Sequence, residues 1–239
     1  MKPAQISQPI AAPSSWAELP WGEYYREALE QHLQPWWPKM FGFHLLKLGG
    51  LSTEIATNQC AISHQVNVSS QGENLHVIAD PRQLPFTAKS VDACLLAQTL
   101  AYSADPHRIL REVDRVLIDD GWLILSGFNP VSLLGAARLL PGLRRRQPYC
   151  SRMFSQTRII DWLSLLNYEV LYCHRFQVFP WSRKKSGWNT HLPLFGCLGL
   201  IIARKRTIPL TLNPLKRRLV KPALSRALGA TKSYRQPPG

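Results

Sequence analysis

Acidic side chains are scarce in this 239-residue sequence. Fifteen Asp and Glu stand against 29 Lys and Arg, a formal net charge of +14. Such a surplus attracts a nucleic acid, an anionic membrane surface or an acidic protein, and charge alone does not separate these from general solubility. Cysteine is thin and unpatterned: Cys60, Cys94, Cys150, Cys173 and Cys197 are scattered, odd in number and without a CxxC pair. That argues against a disulfide framework or a zinc site and for a reducing, cytoplasmic setting. No metal-ligand cluster is present, so no metal is expected. Long apolar runs are missing too. The longest, 192–203, is too short to span a bilayer and contains Pro193 and two glycines, so no integral membrane segment is expected. Residues 1–15 lack an apolar core segment, which argues against a signal peptide.

What is present suits one substantial domain with appendages, since 45% of the residues are hydrophobic. Residues 1–20 are rich in Pro, Ser and Ala and read as a flexible arm. Residues 205–239 carry many Lys and Arg and no acids, and read as a basic, disordered tail. Between them, 21–204 forms the domain. Residues 21–34 have a helical stripe of Tyr25, Leu29 and Leu33, ended by Pro35. Apolar runs at 43–48, 62–69, 75–79, 90–97 and 122–126 read as strands. Residues 105–119 read as a helix with Ile109, Leu110, Val113, Val116 and Leu117 on one face, capped by Ser103 or Asp105 with Pro106 in the first turn. Nearly continuous apolar strands alternating with a helix predict a buried parallel sheet. Helices are expected at 131–140 and 155–166, and strands at 169–178 and 194–204.

The block Asp80, Leu84-Pro85-Phe86, Ser90-Val91-Asp92, Asp105-Pro106, Leu110-Arg111-Glu112-Val113, Arg115-Val116-Leu117 and Gly121 resembles the class I S-adenosylmethionine-dependent methyltransferases, in the methyltransferase type 11 group. The likeness is strong over 80–126 and weak over 22–205. It implies an α/β, Rossmann-like fold: a central, mostly parallel seven-stranded sheet in the order 3-2-1-4-5-7-6, with helices on both faces. It also implies S-adenosyl-L-methionine as cofactor and methyl transfer to an unidentified, small-molecule acceptor.

The same resemblance nominates site residues. Gly49 and Gly50 follow the first strand, where the family places its glycine-rich cofactor loop. Leu51 and Thr53 stand where two further glycines belong, and Lys47 replaces the usual carboxylate. Glycines there let backbone approach a ligand, and a lysine would repel the cationic cofactor unless it turns outward or pairs with an acid. Asn67 takes the place of the acid that holds the ribose hydroxyls, with less acceptor capacity. Asp80, followed by Pro81, matches the acceptor for the adenine amino group. Gln98 stands after the fourth strand, near the methionine part or the reacting centre. Asp92 matches the family but begins a strand, so it reads as structural. Residues 70–74 are too few for the usual crossover helix, and an antiparallel pairing of the second and third strands is the expected result.

Methyl transfer asks for alignment, exclusion of water and sometimes removal of a proton. Tyr102 and His107 are the candidate bases near the pocket mouth, and no single catalytic residue stands out. Two functions fit. One is an active methyltransferase. The other is a catalytically degenerate member of the fold, acting as a basic binding module for RNA or an anionic partner. Asp80 and the block after it favour the first; Lys47, Leu51, Thr53 and Asn67 favour the second. Cationic clusters at Arg144-Arg145-Arg146, at Arg183-Lys184-Lys185 beside Trp181 and Trp188, and in the tail could hold a phosphate backbone while an aromatic stacks on a base.

Overall fold

The computed structural model describes residues 5–7, 10–72, 74–140, 142–143, 145–177 and 195–207. Arg144, the cluster Arg183-Lys184-Lys185 with Trp181 and Trp188, and the chain from 208 onward lie outside the described residues.

The apolar runs become seven strands: β1 His44–Leu48, β2 His64–Ser69, β3 Val77–Ile78, β4 Val91–Ala97, β5 Leu117–Phe128, β6 Tyr168–Phe176 and β7 Leu198–Lys205. They form one sheet in the order β3-β2-β1-β4-β5-β7-β6. The first five pair in parallel, and β7 runs antiparallel to both β5 and β6. Alternation along the strands loads both faces. Leu45, Leu95, Ile124 and Ile202 face one apolar cluster; Leu46, Leu96, Leu125 and Ile201 face the other. The first face is covered by helix α1 (Gly22–Leu33) through Tyr25, Leu29 and Leu33. The second is covered by α4 (Pro106–Val116) and α6 (Gln156–Leu165) through Ile109, Val113, Ile159 and Leu163.

Local chemistry sets these boundaries. Asp105 caps α4 by accepting from the Arg108 N–H at 3.1 Å, and Pro106 occupies its first turn. Ser155 caps α6 in the same way. Helix α4 stops at Val116, earlier than its apolar spacing suggests, because Leu117 already pairs with Val91 in β5. The register then slips between Val91 and Ala93, so 118–121 bulge outward with Asp120 at φ 63°. Asp92 is structural, as its position implied. Its carboxylate accepts from the Phe43 and His44 N–H groups, each at 2.9 Å, and fixes the entry to β1.

Two expectations change. The short link after β2 does not produce an antiparallel pair: Val68 and Ser69 pair in parallel with Val77 and Ile78. A strand of two residues needs only a short return path, and the loop supplies it without a helix. Asn67 helps to hold that loop, its carbonyl accepting from His76 N and its side-chain amide donating to the Asn74 carbonyl, both at 3.0 Å. The second change concerns the Pro- and Ser-rich start of the chain. Trp16 is fully buried, and its indole N–H donates to the Leu51 carbonyl at 2.8 Å. The backbone of Ile6 and Ile10 donates to the carbonyls of Ala104 and Tyr102. One large aromatic thus anchors a stretch whose composition otherwise favours disorder.

Candidate functional site

Open parallel sheets bind ligands beyond the C-terminal ends of their strands. At that end, β1, β2 and β4 leave a cavity of about 500 Å³, within the range of small-molecule sites. Gly49, Gly50, Asp80, Pro81 and Gln98 all line it. Residues separated by up to 49 positions in sequence therefore meet in one cleft.

The glycine turn is shaped by β1 and by what packs beneath it. Gly49 has φ +89°, and a Cβ there would lie 2.8 Å from Thr99 Oγ1. A side chain is excluded on both counts. Thr99 Oγ1 donates to the Leu48 carbonyl at 2.6 Å, and buried Ser52 accepts from the Ala97 N–H at 2.7 Å. These two hydroxyls tie the ends of β1 and β4 together under the turn. Helix α2 (Gly50–Thr53) starts there, and Leu51 and Thr53 are accommodated without closing the cleft: Leu51 packs into the core and Thr53 bonds back to the Gly50 carbonyl. Lys47 is 6% exposed and does not line the cavity. Its ammonium donates to the Ile55 carbonyl at 3.0 Å, and burial lowers its pKa. The repulsion that a lysine would bring to the turn is thereby directed elsewhere.

Asp80 sits at the end of β3 with Arg82 wrapped around it. Arg82 Nε and Nη2 lie 3.0 and 2.7 Å from Asp80 Oδ2, and the Arg82 N–H donates to Oδ1 at 2.9 Å. The side-chain bond from Arg82 is the main reason that the Asp80 carboxyl titrates below its ordinary range. The group stays ionised and keeps acceptor capacity toward the cleft.

Gln98 is the most deeply buried polar residue of the lining. It follows β4 in the left-handed region, at φ 60°. Its backbone is satisfied, the N–H donating to the Ser126 carbonyl at 3.1 Å and the carbonyl accepting from Ala101. Its side chain is 0% exposed, yet neither Oε1 nor Nε2 has a hydrogen-bond partner among the described residues. A buried amide with both ends unpaired costs stability unless something else completes it.

The other nominated residues are not brought to the cleft in the same way. Asn67 does not line it, because its amide is committed to the β2–β3 loop. The cleft at that corner is formed by Ser69, Ser70 and Gln71, two to four residues further on, where β2 ends. His107 is also outside the lining: its ring packs 4.2 Å from that of Trp162, and desolvation lowers its pKa. Tyr102 does line the cleft, and its hydroxyl donates to Gln147 Oε1 at 3.0 Å. Burial pushes its pKa upward, so it is a neutral hydrogen-bonding group and not a ready base. The sequence reading missed Ser69, Gln71, Ser52 and Thr99, and it missed the fourth wall. Residues 10–14 cross the cleft, and the Ser14 carbonyl would lie 2.9 Å from a Cβ at Gly50. Trp16, a lone large aromatic in a Pro-rich stretch, was the available signal.

Among the described residues no group of three or more His, Cys, Asp or Glu could hold a metal ion, and no helix is long and apolar enough to cross a membrane. All five cysteines are free.

Comparison with known proteins agrees with this architecture. A methyltransferase-domain family model matches residues 45–125. The uncharacterised protein YafS of Escherichia coli K12 is 59% identical over 238 residues, covering 99% of each chain. Among solved structures, a possible histamine N-methyltransferase of Thermotoga maritima superposes with a TM-score of 0.52 at 19% identity, covering 77% of this chain and 95% of its own. A SAM-dependent methyltransferase of Archaeoglobus fulgidus gives 0.53 at 16% identity, with 75% and 94% covered. At such identities the two structures speak for the fold, while the relative and the domain model speak for descent. The chain belongs to the class I S-adenosylmethionine-dependent methyltransferases, in the methyltransferase type 11 group.

Proposed function

We propose that the protein is an active, cytoplasmic methyltransferase that binds S-adenosyl-L-methionine in the cleft and transfers its methyl group to a small-molecule acceptor. The observation that carries this reading is Gln98: a buried amide, unpaired at both ends, lining a cleft at the C-terminal ends of the strands. The chain's own residues fit the cofactor. The turn at Gly49 and Gly50 admits backbone close to a ligand. Asp80 supplies an ionised acceptor suited to an exocyclic amino group. Ser69 and Gln71 replace Asn67 as the polar groups placed for ribose hydroxyls. Gln98 offers a donor and an acceptor to the polar end of the amino acid part.

The cofactor supplies an electrophilic methyl group on a sulfonium, so the protein's work is binding, alignment and exclusion of water. Tyr102, held by Gln147, orients an acceptor at the mouth by hydrogen bonding. Residues 10–14 shield one side. The degenerate, purely binding alternative is less favoured, because Lys47, its strongest argument, turns away from the site. Calorimetric titration with S-adenosylmethionine and S-adenosylhomocysteine tests the reading. A one-to-one isotherm with each is expected. No heat and no thermal stabilisation with either ligand would overturn it.

A further inference from the structure

The link between β5 and α6 leaves apolar side chains in water although the core has room for only some of them. Helix α5 (Leu133–Ala137) buries Leu134, but Leu133 is 46% exposed, and Leu139 and Leu140 are 85% and 57% exposed. The turn that presents them is anchored. Ser132 Oγ donates to the Asn129 carbonyl at 2.7 Å and accepts from the Gly135 N–H at 3.2 Å, and a Cβ at Gly135 would lie 1.9 Å from the Pro130 carbonyl. The exposure therefore belongs to a seated element and not to a frayed end.

Charge complements this apolar ridge. Residues 121–160 contain six arginines and no Asp or Glu. Arg145 and Arg146, which follow Leu140 closely in sequence, are exposed, and Arg138, just before Leu139, is half-buried. The element also has a defined relation to the cleft. Gln147 accepts from Tyr102 Oη at 3.0 Å and donates to the Ala11 carbonyl at 2.8 Å, and both partners line the cavity.

We propose that the stretch around 131–146 docks the protein on an anionic lipid bilayer, with Leu133, Leu139 and Leu140 at the acyl boundary and Arg145 and Arg146 on headgroup phosphates. Exposed leucines followed within a few residues by exposed arginines meet both requirements of interfacial binding, apolar insertion and attraction to acidic lipid. RNA fits less well. Aliphatic side chains add nothing to phosphate contacts, and 131–146 contains no aromatic residue on which a base could stack. A second copy fits less well too, because a symmetric contact would set arginine against arginine. The inference goes beyond methyl transfer and does not depend on it.

The test is co-sedimentation of the full chain with vesicles of equal parts phosphatidylglycerol and phosphatidylcholine, and with pure phosphatidylcholine. The wild type is expected to bind the anionic vesicles and to pass over the neutral ones. Leu139→Ser/Leu140→Ser is expected to lower partitioning by roughly tenfold or more, with its circular dichroism, its melting and its binding to poly(U) RNA unchanged. Arg145→Glu/Arg146→Glu is expected to lose vesicle binding as well. Vesicle binding that the leucine substitutions leave intact would overturn the proposal, assigning the attraction to cationic charge alone. Equal binding to neutral vesicles would overturn it, as would a dimer or an RNA complex that the leucine substitutions abolish.

Discussion

Replacing Gln98 by methionine separates the demands of folding from those of the ligand. Methionine has nearly the length and flexibility of glutamine and carries no amide. The Gln98 amide is fully buried, and neither of its polar atoms has a partner among the described residues. Leaving a buried polar group unsatisfied costs about 1–3 kcal/mol, so Gln98→Met is expected to stabilise the ligand-free fold by that order. For a domain of this size, about 2–4 °C per kcal/mol gives a rise in Tm of about 2–12 °C. The backbone term cancels, since both residues must adopt the same left-handed φ of 60°. Affinity should move the other way. Losing one or two hydrogen bonds to a partly charged ligand weakens binding by about 1.5–3 kcal/mol, roughly tenfold or more in Kd. Thermal denaturation without ligand and calorimetry with S-adenosylhomocysteine read the two halves. A variant that melts below the wild type would refute the reasoning, because the amide would then be serving the fold.

The other predictions concern residues on either side of the same cleft. Asp80→Ala is expected to weaken cofactor binding about tenfold and to leave the fold intact, as its carboxylate bonds to nearby Arg82 at a half-exposed site. Asp92→Ala is expected to do the reverse, lowering stability by about 1–3 kcal/mol because the Phe43 and His44 N–H donors lose their carboxylate acceptor; calorimetry and urea melts on both variants decide. Lys47→Met tests the buried ammonium. Burial lowers the Lys47 pKa in the folded state, so the unfolded chain binds the extra proton between that pKa and the ordinary lysine value of about 10.4, and wild-type stability rises with pH through that window. Any advantage of Lys47→Met at neutral pH should therefore shrink as pH rises, and a gap that widens in its favour would contradict the assignment. Trp16→Phe keeps most of the ring and removes the donor to Leu51, with an expected loss of about 1–3 kcal/mol in a urea melt.

The sheet was legible because apolar strands leave a repetitive trace: Leu45 and Leu46, or Leu95 and Leu96, are both buried, one on each face. The cap at Asp105 was legible for the same local reason. The cleft was legible wherever a residue stands at the very end of a strand, as Gly49 and Gln98 do. Asn67 shows the limit. A side chain two positions short of a strand's end is displaced from the ligand edge by about 7 Å; the sequence already ended this strand at Ser69, and Asn67 was nominated from the family's pattern and not from its distance to that end. The β2–β3 link was misjudged because the rule for long crossovers assumes strands of ordinary length. The fourth wall was hidden because composition averages over residues 1–20, whereas the burial of one tryptophan, Trp16, anchors the chain next to residues 10–14.

That wall has a practical side. The family model matches 45–125, but the cavity is completed by residues 10–14, with Ile6 already bonded to Ala104 at the lip. A chain begun at Ser15 would therefore keep Trp16 and α1 over the sheet and lose one side of its pocket. An affinity tag joined ahead of Ile6 would begin at the doorway, where its bulk and charge become part of what a ligand meets on entering.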